Sequence, residues 1–155
     1  MAKIEFHQKC IEQLKRHEGL KLRTYVCPSG KLTIGYGHNL TDNPVWGLQR
    51  GDKVSAKQAE DLLKRDMVAV ARELDGKIPW WRSFNEPRQA TILNMAFNMG
   101  ASGLMEFQKM LAALRQADYG RASEEMIDSA WYGQVGVRAE ELVKQMRTGE
   151  WEHGT

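Results

Sequence analysis

The chain has 155 residues, 42% hydrophobic and 27% charged, which suits one domain burying about two-thirds of its unfolded surface and argues against a disordered or membrane-embedded protein. Net charge is only +2, with 16 Lys/Arg against 11 Asp/Glu over residues 1–99 and 6 against 9 over residues 100–155; without a dense basic stripe this is not a nucleic-acid binder. No apolar run of signal-peptide or membrane-spanning length occurs, so the product is expected to start in a cytoplasm without stable membrane insertion, and Cys10 and Cys27 are too few for a disulfide framework or a structural zinc site.

Residues 3–17 read as a helix, with Ile4, Cys10, Ile11 and Leu14 sharing a face. From Leu22 to Leu40, β-rich runs bracket Pro28-Ser29-Gly30, the pattern of a hairpin. Residues 41–54 hold Pro44, Gly47 and Gly51 and read mostly as loop. Ser55 and Gln58 form a capping box that opens a helix running to about Leu74, ended by Gly76 and Pro79. Asn85 and Pro87 suit the start of the next helix, whose segment 90–99 is apolar nearly all round and is expected at the centre of a helical core. Gly100 and Gly103 then break the chain. Three further helices are marked by Phe107, Met110, Leu111 and Leu114, by Ala122, Met126 and Ile127, and by Leu142, Val143 and Met146.

The residues that can carry chemistry crowd into HEGLKLRTYVCPSGKLTIGYGH (17–38). Glu18 stands where the first helix stops at Gly19 and can project into a cleft edge. With a loop at 28–30, Cys27 opposes Lys31 and Tyr25 opposes Thr33, so all four share one face. Cys27 and Thr33 become diagonal neighbours about 7 Å apart, near enough for both to touch one water. Taken singly, Glu18 reads as a solvated helix end, Cys27 as a small core filler and Thr33 as a good strand residue.

In combination they read differently. Eight residues separate Glu18 from Cys27 and five separate Cys27 from Thr33; this is the Glu-x8-(Asp or Cys)-x5-Thr signature, and the surrounding segment resembles the T-even phage lysozymes of glycoside hydrolase family 24. NMAFNMG (94–100), AWY (130–132), Arg138-Ala139 and RTGEW (147–151) resemble the family's helical lobe in order and spacing, while 41–54 looks shorter than the family's segment.

The resemblance implies an α+β, mainly α, lysozyme-like fold: one domain over 1–155, with a β-rich N-terminal lobe at about 18–58, a connecting helix at 55–75 and a helical lobe at 76–155 on which helix 3–17 packs. It further implies a cleft that binds peptidoglycan and hydrolysis of the β-1,4 bond between N-acetylmuramic acid and N-acetylglucosamine. By position, Glu18 takes the general-acid role, Cys27 stands where the T-even enzymes have an aspartate, and Thr33 helps hold the attacking water. His38, Asn39, Phe97 and Arg138 complete the substrate-binding or cleft set, with Arg138 matching an arginine that faces the catalytic glutamate. No cofactor or metal is implied. An endolysin of this kind is expected to act as a monomer and to reach the wall through a separate holin-like protein.

Glycoside cleavage needs a proton for the leaving oxygen and a nucleophile at the anomeric carbon. An aspartate is fully ionised at neutral pH, whereas a free thiol near about 8.5 is only a few per cent thiolate. Three readings of Cys27 follow: a base whose thiol is lowered by nearby cationic groups, a group that orients water with little proton transfer, or a crippled site. Other reaction classes stay open beside hydrolysis of peptidoglycan: a wall-binding or virion structural module without turnover, a chitin-acting enzyme, or a transglycosylase. Gly35-Tyr36-Gly37 is not a dinucleotide loop, because the third glycine position is Leu40. His7 and Cys10 read as helix surface and core rather than metal ligands. Asp66 is a candidate partner for His38. Trp131, Tyr132 and Trp151 read as core aromatics, while Trp46, Trp80 and Trp81 fall in loops where sugar stacking is open to them.

Overall fold

The computed structural model describes residues 2–153, and side chains from residue 5 onward; Ile4, expected on the buried face of the first helix, lies outside the described side chains. The fold is α+β and mainly helical, with one small antiparallel sheet near the N-terminus. By internal contacts the chain divides into two compact units, residues 1–69 and 70–155.

In the first unit, α1 (Ala2–Glu18) buries Phe6, Cys10, Ile11 and Leu14, an apolar stripe at helical spacing. It stops because Gly19 turns to φ +73°, a conformation that costs little without a side chain, while its N–H still bonds the Lys15 carbonyl at 3.1 Å. Strands β1 (Lys21–Val26), β2 (Leu32–Gly35) and β3 (His38–Asn39) follow in that order across the sheet. Tyr25 faces Thr33 and Val26 faces Leu32, the register expected from a loop at 28–30. The third strand was not anticipated, since two residues are too short for a period-two pattern.

The reading of 41–54 as loop needs one correction. Its last residues run along the outer edge of β1, where Arg23 bridges Lys53, the Asp52 carbonyl accepts from Thr24 N–H at 3.0 Å and Val54 N–H donates to Leu22 at 2.8 Å. An otherwise open strand edge is thereby capped.

Helix α2 (Ala56–Lys77) opens on the expected capping box: Gln58 N–H donates to Ser55 Oγ at 3.1 Å, and Ser55 N–H donates to Gln58 Oε1 at 2.9 Å. Its Ala59 and Leu62 close a core with Ile34, Leu40 and Val54. Each large apolar side chain buried there contributes roughly 1.5–3 kcal/mol relative to exposure. The sheet approaches the helix so closely that a Cβ at Gly35 would lie 3.3 Å from the Ala59 Cβ. Contrary to expectation, Gly76 does not end α2. A helical glycine costs only about 1 kcal/mol, and the helix continues until Pro79 denies residue 78 a helical conformation.

In the second unit, a short 3-10 turn (Trp81–Ser83) leads to α3 (Glu86–Met99), whose first turn is capped by Asn85 accepting from Arg88 N–H at 3.3 Å. All residues from Ala90 to Ala96 are buried, as the all-round apolar pattern requires. Helices α4 (Ala101–Met105), α5 (Gln108–Arg115), α6 (Tyr119–Ile127), α7 (Ala130–Val135) and α8 (Val137–Thr148) complete the unit. Gly100 terminates α3 as expected, but Gly103 sits inside α4 rather than breaking the chain. Helix α7 carries too few turns to show a stripe and was missed, although Ser129 is a regular N-cap, accepting from Tyr132 N–H at 3.2 Å. Ile127, one of the residues that mark this helix in the sequence, is the last residue of α6 and is 44% exposed. Trp81 is also corrected: it is buried within the 3-10 turn, its indole N–H donating to Asp75 at 2.8 Å, so neither ring face is open to a sugar.

Candidate active site

Glu18, Cys27 and Thr33 all lie in the first unit, each placed by a different local device. Glu18 is the last residue of α1, and the positive-φ turn at Gly37 (φ +84°) comes up against its carboxylate: a Cβ at Gly37 would stand 3.2 Å from Glu18 Oε2. Only glycine meets both demands there. Across the hairpin, Cys27 N–H donates to the Lys31 carbonyl at 3.0 Å and Gly30 N–H to the Cys27 carbonyl at 2.8 Å, so the thiol sits at the mouth of the Pro28-Ser29-Gly30 turn. Thr33 is buried, and its hydroxyl donates to the Lys31 carbonyl at 3.0 Å, which leaves the oxygen able to accept from a further partner.

The electrostatics tie these groups together. The Cys27 thiol is lowered to about 7, first by the Ser29 hydroxyl, whose Oγ lies 3.0 Å from Sγ, then by the Lys31 backbone. Hydrogen bonds to the charged form favour it. Nearby cations, expected from the sequence, are not the cause: turn hydroxyl and backbone groups lower the thiol, and the Lys31 ammonium is paired with Asp42 at 3.1 Å. Tyr25, on the same face of β1, has its phenol raised by burial first and then by the charges of Cys27 and Glu18, so one side chain feels both. Ser29 is the residue that sequence reasoning passed over. In the sequence it signals a turn, though a hydroxyl two residues beyond a cysteine in a tight turn is also within reach of its sulfur.

His38 is buried, with Nδ1 donating to Asp66 Oδ2 at 2.8 Å and Nε2 to the Asn43 carbonyl at 2.8 Å. Both nitrogens therefore act as donors, the arrangement of an imidazolium. Burial, the largest single influence, lowers its pKa, but the Asp66 hydrogen bond, the Asn43 carbonyl and the Asp66 charge together outweigh it and the net direction is up. The ring pins β3 to α2. Asn39 is half-buried, its amide donating to Asp42 Oδ2 at 2.8 Å while its carbonyl oxygen accepts from Asp42 N–H at 3.0 Å. In the second unit, Phe97 is half-buried near the end of α3, and Arg138 is held by Asn94, its Nε donating to Oδ1 at 2.9 Å.

Cys10 is 2% exposed while His7 is exposed, and among the described residues no group of three potential metal-ligating His, Cys, Asp or Glu side chains occurs. Among the same residues no helix is long and apolar enough to cross a membrane.

The family described as Phage lysozyme matches residues 15–150. The chain is 33% identical over 124 residues to an endolysin of Acyrthosiphon pisum secondary endosymbiont phage 1, covering 80% of this chain and 79% of that protein. It is 24% identical to a probable T4-type lysozyme of Dictyostelium discoideum, over 89% of this chain and 93% of that one. It is 34% identical to the pre-baseplate central spike protein Gp5 of Enterobacteria phage T4, covering 91% of this chain but only 28% of the spike protein's length.

Proposed function

Since the chain belongs to the phage lysozyme family of glycoside hydrolases, we propose that it is a muramidase of the endolysin type, hydrolysing the β-1,4 bond between N-acetylmuramic acid and N-acetylglucosamine in peptidoglycan. The observation that supports this best is geometric: the Glu18 carboxylate lies against the Gly37 turn, and Cys27 and Thr33 stand on the hairpin that leads into it. In this reading the acid and the water-holding pair share one unit.

In this reading Glu18 donates its proton to the glycosidic oxygen as the bond to the anomeric carbon lengthens. A water held by Cys27 and Thr33 attacks that carbon from the opposite face, passing its proton toward the thiolate, so the first product has the inverted configuration. Gly37 keeps space for the carboxylate, and Ser29 keeps the thiol ionised near neutrality. Phe97 and Arg138 serve as glycan-contacting positions of the second unit. The protein works as a monomer on the cell wall, delivered by a separate membrane-permeabilising protein.

A second reading has its own support: the likeness to a central spike protein, of which this chain spans a small part, fits a virion structural or wall-binding module. Mass spectrometry of digested peptidoglycan separates the two. Fragments ending in reducing N-acetylmuramic acid, absent with Glu18→Gln, are the expected products. Binding to sacculi with no released ends would favour the module, anhydro ends a transglycosylase, and cleavage of chitin chains alone a different glycosidase.

A further inference from the structure

The second unit holds a cavity that the proposed chemistry does not use. It lies between the 3-10 turn and the α5–α6 connection, has a volume of about 380 Å³ and is lined by Trp80, Ser83, Phe84, Arg115, Ala117 and Tyr119, with Leu114 at its base. That size sits at the small end of ligand sites and suits a single ring.

Its walls are aromatic and fixed. Trp80 and Phe84 meet edge-to-face at 5.8 Å, Phe84 and Tyr119 at 6.0 Å. Arg88 lies 3.6 Å from the Tyr119 ring and is tied by Nε to the Met146 carbonyl at 2.7 Å, so the far side of that ring is held too. Side chains already locked in place lose little freedom when a ligand arrives.

The polar complement of the cavity is one-sided. Among the described residues no carboxylate lines it. Asp118, next to Ala117, is engaged in capping α6, accepting from Arg121 N–H at 3.1 Å. Arg115 stacks over Trp80 at 5.4 Å and, among the described residues, has no acidic partner. Ser83 donates its proton to the Trp80 carbonyl at 2.7 Å and keeps lone pairs to accept with. The site therefore offers aromatic surface, one small acceptor and the five N–H donors of an unpaired guanidinium. Ala117 is held at φ +56°, outside the conformations such a residue prefers, to shape the connection beside them.

A pyranose presents C–H faces to aromatic rings, and a carboxylate on that sugar matches a planar guanidinium. We propose that this cavity is a binding subsite for one acetamido sugar bearing a carboxylate, of the N-acetylmuramic acid type, separate from the residues proposed for hydrolysis. The identity of the sugar rests on the peptidoglycan reading above; the preference for an anionic ring rests on the cavity alone.

The test is a nitrogen-resolved NMR titration of the full-length Glu18→Gln chain with N-acetylmuramic acid and, separately, N-acetylglucosamine. N-acetylmuramic acid is expected to shift the Trp80 indole N–H and the Ala117 amide with a millimolar Kd, and to bind about 3- to 10-fold more tightly than N-acetylglucosamine, the margin of one partly exposed charge-assisted contact. Arg115→Gln, which removes the guanidinium while Trp80, Phe84 and Tyr119 remain, should erase the difference between the sugars. Shifts confined to the region around residues 18–39, equal affinity for the two sugars, or an undiminished preference in Arg115→Gln would each overturn the proposal. The product analysis above reports on hydrolysis independently, so failure of one reading is not mistaken for failure of the other.

Discussion

Titration of Cys27 gives the most discriminating measurement on the proposed mechanism. With the thiol at about 7, a side chain acting as base is about half ionised at pH 7, about a tenth at pH 6 and about a hundredth at pH 5. The acid limb of kcat/KM should then rise close to tenfold per pH unit below pH 6 and bend near 7. Cys27→Asp replaces the thiol with a group that ordinarily titrates near about 3.9, so its limb moves down by about three units while activity at neutral pH is retained. Cys27→Ala should lose at least ~10²-fold, as for removal of a general base. Ser29→Ala deletes the largest influence on the thiol and should carry the limb upward, toward the ordinary thiol value, with the alkaline plateau little changed. The assay is the initial rate of clearing of purified peptidoglycan at constant ionic strength, which holds long-range attraction between protein and wall fixed across the series. Because Cys10 is 2% exposed, iodoacetamide should inactivate through Cys27, and a Cys10→Ala background should react identically. An acid limb shared by the native protein and Cys27→Asp, or near-native clearing by Cys27→Ala, would refute a base at this position.

Three further outcomes are expected. The His38 pKa is raised by folding, so its contribution is fully present below the unfolded value of about 6.5 and is lost as pH rises through the folded pKa; Asp66→Asn should therefore cost on the order of 2–3 kcal/mol at acidic pH and distinctly less at alkaline pH, read by denaturant unfolding, and an equal loss at both would contradict the pairing. Gly37→Ala and Gly30→Ala both force a side chain to φ +84°, but only the first meets Glu18; both should lose about 1–2 kcal/mol of stability, while clearing activity drops well beyond that in Gly37→Ala alone. Ser55→Ala removes one half of the capping box and should lower stability by about 1 kcal/mol with activity unchanged, checked by thermal melts beside the clearing assay.

What could be read from the chain alone follows the range of the interaction concerned. The hairpin register depends on one turn and a period of two, and the placement of Tyr25 opposite Thr33 followed from Pro28-Ser29-Gly30 without further knowledge. The capping box at Ser55 and the N-cap at Asn85 are equally local. The misses have local causes of a different kind. Gly76 and Gly103 look like breaks in the sequence, yet a glycine only weakens a helix that tertiary packing holds, whereas Pro79 removes a donor outright. Helix α7 and strand β3 are shorter than the repeat needed to reveal them. The edge pairing of residues 52–54 joins segments some thirty positions apart, and nothing in either segment names the other.

The activation of Cys27 stands between these cases and says most about the site. An aspartate at this position ionises through its own acidity and asks little of its surroundings, whereas a thiol needs donors, and a lysine four residues away is the obvious candidate in a sequence. Lys31 contributes through its backbone instead, because its ammonium turns to Asp42, and the turn brings the Ser29 hydroxyl to the sulfur. In the proposed mechanism, residues 29 to 31 are part of the base rather than a support for it. Cys27→Asp should then make the site indifferent to Ser29: in that background Ser29→Ala should leave the pH profile in place, whereas with the thiol present the same change moves it. A Ser29→Ala shift of equal size in both backgrounds would mean that the serine acts on the hairpin's shape and not on the ionisation of its neighbour.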